Sequence, residues 1–134
     1  MLKLLFITFI FCSFIAAAQT QTNIGSLIPK EAYENISSQL LNSDSNVTSI
    51  VIWIKKEVKP HVHTIHSEQV YVLEGTGKML LGEKTMEVKP GDLIFIPKQT
   101  IHALKVTSAT PMKVLSIQAP EFDGKDRVFV EREW

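Results

Sequence analysis

Residues 61–75 read HVHTIHSEQVYVLEG and hold three of the chain's four histidines together with Glu68. Imidazole nitrogen and carboxylate oxygen are the donor types that suit Fe, Mn, Ni, Cu or Zn in the divalent state. On an extended strand residues i and i+2 share a face, so His61 and His63 present two imidazoles side by side. Glu68 opens the next apolar run, close enough for a short loop to fold it back. The fourth histidine, His102, lies in PGDLIFIPKQTIHALKV, a strand, a proline-marked turn and a return strand. That setting places His102 on a neighbouring strand, pointing inward, where it would complete a set of three neutral imidazoles and one anionic oxygen. His66 sits in the TIHS loop with no partner that its spacing specifies, and it is expected to be solvated.

The elements that must position these side chains are short and extended. VTSIVIWIKKEV, QVYVLEG, KMLLG, TMEVK, DLIFIP, IHALKV and MKVLSIQ are rich in β-branched and apolar residues, and Gly, Pro and Asp punctuate them. This pattern predicts an all-β sandwich or barrel over residues 47–134. No helical pattern falls between the strands to build a parallel sheet. IVIWI and LIFI are apolar on both faces, so another sheet or a partner chain has to cover them. Pro60 is expected to interrupt pairing just before the histidines. EGTGK is expected to be a hairpin turn, LGEKT a turn between strands, and VFVE an added edge strand. Residues 19–46 form a separate segment in which Pro29 and the stripe Ala32, Ile36 and Leu40 predict a short helix over Lys30–Leu41.

Residues 1–18 carry Lys3, an apolar run from Leu4 to Ile15 and the small exit Ala16-Ala17-Ala18. That is the layout of a cleaved signal peptide, so the chain is expected to be exported to a periplasm or secreted, with no membrane association after cleavage. The single cysteine, Cys12, leaves with this leader, which excludes disulfides, thiol nucleophiles and thiolate ligands from the mature chain. With 14 basic and 14 acidic side chains, charge gives no case for nucleic acid or a membrane surface as partner.

HVHTIHSEQVYVLEG resembles the first signature of the cupin superfamily, with His61, His63, Glu68 and Gly75 in its four positions. GDLIFIPKQTIH resembles the second, with Gly91, Pro97 and His102 in place. The resemblance runs from about Val47 to Ala119. It implies an antiparallel jelly-roll β-barrel of six or more strands, with His61, His63, Glu68 and His102 converging inside its mouth on one divalent transition metal. It also implies a homodimer. Lys55, Gln99 and Val106 depart from the signatures; Gln99 replaces a turn glycine, which requires that its φ stay below zero.

Four ligands on a metal that prefers six leave about two open positions, more than a structural ion needs. The chain is therefore expected to be a metal-dependent enzyme acting on a small molecule. Two chemistries fit: dioxygenase-type oxidation, or Lewis-acid isomerase or lyase chemistry on a sugar-like acid. Glu68 is the candidate general base, and Trp53, Tyr71, Met79, Phe95 and Leu104 are candidate lining residues. The alternative is a non-catalytic metal- or carbohydrate-binding module.

Overall fold

The computed structural model describes residues 20–134, so the expected signal peptide, residues 1–18, lies outside the described residues. The run VTSIVIWIKKEV, residues 47–58, divides at Lys55-Lys56 into β2 (Thr48–Ile54) and the start of β3 (Glu57–His63). Before them stands β1 (Ile36–Ser43). After them come β4 (Ser67–Glu74), β5 (Gly77–Leu81), β6 (Lys84–Val88), β7 (Leu93–Ile96), β8 (His102–Val106), β9 (Met112–Ala119) and β10 (Arg127–Phe129). They pair antiparallel in two five-stranded sheets, β1-β2-β9-β4-β7 and β10-β3-β8-β5-β6. From β2 onward most connections cross from one sheet to the other, so the chain closes a barrel around an aliphatic core that includes Ile54, Val72, Ile96, Leu104, Met112 and Val114.

The helix expected over Lys30–Leu41 does not form. Residues from Ile36 onward are β1, paired with β2 from Ile36 opposite Ile54 to Ser43 opposite Thr48. The spacing i, i+4 is even, so Ile36 and Leu40 share one face of a strand as readily as one stripe of a helix. Ile-Ser-Ser is a weak helix former, and β2 offers a ladder of backbone partners. Asn35 sets the extended entry: its side-chain oxygen accepts from the amides of Lys56 (2.9 Å) and Glu57 (3.2 Å), and its amide nitrogen donates to the Glu57 carbonyl at 2.9 Å.

The doubly apolar β2 is covered in part by the chain itself. Lys113, opposite Trp53 on β9, is buried and donates to the carbonyls of Gly25 and Leu27, both at 2.9 Å. The stretch Gly25–Leu27 is thereby held on the outer face of this sheet. Trp134 likewise packs within its own chain, its carbonyl 2.7 Å and its ring 4.6 Å from the Lys105 ammonium.

Two further expectations need correction, and a third holds. EGTGK joins β4 to β5, which lie in different sheets, so it is a crossing between layers; LGEKT is the hairpin turn, between the paired β5 and β6. Pro60 interrupts the pairing as expected, without ending the strand. It lies within β3 at an irregularity between Val58 and His61, and the pairing resumes with His61 directly opposite His102. A bulge of this kind re-aims the side chains that follow it. Gln99 holds φ at 63°, not below zero, and its amide donates to the His63 carbonyl at 2.7 Å. The turn keeps the left-handed geometry that a glycine would supply, and this hydrogen bond helps fix it.

Candidate metal centre

His61 and His63 project from one face of β3, His102 opens β8 beside it, and Glu68 comes from β4 in the facing sheet. All four expected residues are buried and brought together. The His61 and His102 ring centroids are 4.1 Å apart, those of His61 and His63 5.0 Å, and those of His63 and His102 5.3 Å. One nitrogen from each of the three rings lies within 4.8 Å of the others. Glu68 Oε2 completes the cluster, 3.3 Å from His102 Nε2 and 3.7 Å from His63 Nε2.

The partners outside this cluster decide which atoms face inward. His61 Nδ1 lies 2.8 Å from the Lys59 carbonyl, and His102 Nδ1 lies 2.9 Å from the Thr100 carbonyl. His63 Nδ1 lies 3.2 Å from Asp126 Oδ1. A carbonyl or carboxylate can only accept, so each Nδ1 carries the proton and each Nε2 presents a lone pair. Glu68 Oε1 accepts from the Ser116 hydroxyl and from Gln118 Nε2 at 3.3 Å, which leaves Oε2 toward the imidazoles. The buried Nε2 atoms of His63 and His102 have no hydrogen-bond partner. Lone pairs of nitrogen and oxygen that face each other out of water repel unless a cation lies among them. A buried histidine triad with this outer hydrogen bonding could hold a metal ion, and the donor set fits one.

Burial depresses His61 to about 3, and the neighbouring His102 adds to this. Burial also lowers His63, to about 4, against the opposing pull of Glu68. Burial alone would raise Glu68, but His102, the Ser116 hydroxyl and His63 outweigh it and hold the carboxyl near 2. An unfolded chain takes up protons on histidine near pH 6.5, before the folded protein does. The metal-free protein is therefore expected to keep its full stability above about pH 6.5 and to lose it progressively as pH falls toward 4. Thermal melts across that range check this, and His61→Gln should flatten the slope.

His66 is not solvated. It is 1% exposed, its ring centroid lies 4.1 Å from that of His63, and its Nδ1 is 2.8 Å from Asp126 Oδ2. Asp126, just before β10, also accepts from the amides of Ile65 (3.0 Å) and His66 (3.3 Å). This carboxylate locks the His63 tautomer and the 64–66 loop at once. The sequence reading missed it, because Asp126 lies beyond the second signature among other tail charges. Asp126→Asn is expected to weaken metal affinity about 10–100-fold without removing a ligand. Metal titration of the variant beside the wild type checks this.

Beside the cluster lies a cavity of about 90 Å³, walled by aliphatic side chains such as Ile52, Ile54, Val70, Val72 and Met79. Its polar lining consists of His61, Glu68, His102 and Arg127. Of the expected lining residues, Met79 and Leu104 face it. Trp53 is buried on the outer side of its sheet beside Lys113, and Tyr71 and Phe95 are exposed. The C-terminal tail roofs the site. The Phe122 ring stands 5.6 Å from His63 and 5.1 Å from His66, and the Phe129 ring stands 6.0 Å from His61.

Comparison with known proteins agrees with this fold. The family model described as Cupin domain matches residues 50–118. An uncharacterized protein of Aquifex aeolicus is 37% identical over 98 residues, 73% of this chain and 80% of that one. A quercetin 2,3-dioxygenase of Bacillus subtilis is 33% identical over 48 residues, 36% of this chain but only 14% of the enzyme. A Klebsiella pneumoniae protein with a double-stranded β-helix domain superposes with a TM-score of 0.71 at 15% identity, covering 86% of this chain and 100% of that one.

Proposed function

The chain belongs to the cupin superfamily, and on that premise we propose that it is an exported, metal-dependent enzyme that oxidises a small, largely apolar molecule. His61, His63, Glu68 and His102 are the ligands in this reading. The observation that carries it is the set of buried, unpartnered Nε2 lone pairs gathered around Glu68 Oε2 at one end of an apolar cavity. A divalent transition metal bound there supplies Lewis acidity and, for Fe, Mn, Ni or Cu, redox chemistry with dioxygen.

The chain's own residues do the rest. The carbonyls of Lys59 and Thr100 and the Asp126 carboxylate orient the three rings. Ser116 and Gln118 hold one oxygen of Glu68, and His63 and His102 flank the other, so this side chain serves better as a ligand than as a general base. The aliphatic walls exclude water from a bound substrate. They also favour oxidation over chemistry on a sugar-like acid, whose hydroxyls would find few partners among Ile52, Ile54, Val70 and Val72. The short match to a dioxygenase points the same way.

We read the chain further as a homodimer, because Tyr71, Leu93 and Phe95 leave an exposed apolar patch on the β4-β7 edge. Export follows from the leader, and mature protein should begin at or near Gln19.

Oxygen uptake tests the activity. Metal-loaded protein is supplied with a panel of small enols and catechols, beside His61→Ala. Uptake that depends on substrate and is lost in the variant supports the reading. Turnover without oxygen uptake would move the site to Lewis-acid chemistry, and no turnover with metal bound would leave a binding module.

A further inference from the structure

The family match ends at residue 118, yet the cavity has a cationic member beyond it. Arg127 stands directly opposite His63 in the β10–β3 pair, as Phe129 stands opposite His61. Directly opposed residues of antiparallel strands project from the same face, so Arg127 shares the face that carries the imidazoles. It lines the cavity with His61, Glu68 and His102 and is exposed at its open side.

Among the described residues, its guanidinium has no ion-pair or side-chain hydrogen-bond partner. The nearest described interaction is the Phe122 ring, 5.6 Å away. The other tail cations are matched: Arg132 makes a two-pronged pair with Glu83, at 2.9 and 2.7 Å, and Lys125 pairs with Asp123 at 3.2 Å. Asp126, the acid next to Arg127 in sequence, is turned to His63 and His66. Glu68 is committed to Ser116, Gln118 and the imidazoles. One planar cation is therefore left free at the mouth of a cavity that is otherwise aliphatic.

We propose that Arg127 is the specificity-determining residue of this site, and that the substrate class is a small carboxylate whose apolar body fills the cavity. This deepens the reading above and rests on it for the metal alone. The guanidinium fork matches a carboxylate in two parallel hydrogen bonds. A phosphate would call for more positive charge than the single cation among the lining residues. The apolar walls take the remainder of the molecule, and Phe129 beside His61 closes the approach.

The test is calorimetric titration of metal-loaded protein with benzoate, its neutral counterpart benzamide, and phenyl phosphate, using wild type, Arg127→Gln and Arg127→Lys. Metal content is measured on each sample. Arg127 is exposed on a three-residue edge strand, so these variants should fold. The expected result is that wild type prefers benzoate to benzamide by about ten-fold, that Arg127→Gln loses the preference, and that Arg127→Lys keeps part of it, with equal metal content throughout. No preference in wild type, a preference that survives in Arg127→Gln, or tighter Arg127-dependent binding of phenyl phosphate would each overturn the proposal. An Arg127-dependent preference in protein that takes up no metal would leave the anchor standing and remove the metal reading. One metal per chain without the preference would do the reverse.

Discussion

His102→Ala is expected to reduce bound metal from about one ion per chain to less than about a tenth of that, because it removes one of the four protein donors. In the wild-type arrangement His102 Nε2 is the imidazole atom nearest Glu68 Oε2, at 3.3 Å. Its loss leaves His61 and His63 on one strand and Glu68 across the barrel, with nothing from β8 to close the ring of donors. Loss of outer partners alone costs about 10–100-fold in affinity, and loss of a ligand should exceed that. The variant also opens a cavity, so a fold control is needed. His66→Ala provides it. His66 is equally buried and packs on His63 and Phe122, yet it contributes no donor to the cluster of His61, His63 and His102. It should lower the melting temperature while retaining metal. Elemental analysis of the two variants beside wild type separates ligation from packing.

Gly75→Ala should be among the most destabilising single changes to the barrel. Gly75 has φ of +77°, and a Cβ there would lie 2.8 Å from Met112 Cα and 3.0 Å from the Pro111 carbonyl oxygen. Both obstacles are backbone, and Met112 is fully buried at the start of β9, so neither can move aside. Strain and overpacking together are expected to cost about 2–4 kcal/mol. For a domain of this size that lowers the melting temperature by about 10 °C or more. Gly124 separates the two contributions: its φ is +82°, but a Cβ added there would meet nothing within 4 Å. Gly124→Ala should therefore cost only the backbone strain, about 1 kcal/mol. Equal losses at the two sites, read from denaturant melts, would show that the close approach of Gly75 to β9 carries no energetic weight.

The gathering of His61, His63, Glu68 and His102 was legible because it is written locally. His61 and His63 share a strand face by spacing, and the turn glycines and prolines bracket Glu68 and His102. The barrel was legible for a similarly local reason, since short β-branched, apolar runs punctuated by Gly, Pro and Asp read as strands. What stayed hidden depends on pairs distant in sequence. Asp126 meets His63 across 63 positions, and Arg127 reaches the cavity only because β10 pairs with β3. His66 looked like a solvated loop residue until the tail carried Asp126 and Phe122 onto it. The helix misread in residues 30–41 has a different origin. A spacing of four satisfies both periods, and the pairing with β2 chooses the strand. Gln99 shows the limit of a consensus argument, because the tertiary bond to the His63 carbonyl accompanies a backbone angle that its residue type disfavours.

X-ray absorption at the edge of the bound metal tests the central claim most directly, using purified protein residues 19–134 reloaded with the metal they retain best. The account predicts three imidazole nitrogens and a carboxylate oxygen at about 2.0–2.2 Å, with the imidazole signature reduced to two rings in any metal that His102→Ala retains. Fewer than three imidazoles in the wild type, or no metal taken up at all, would contradict it.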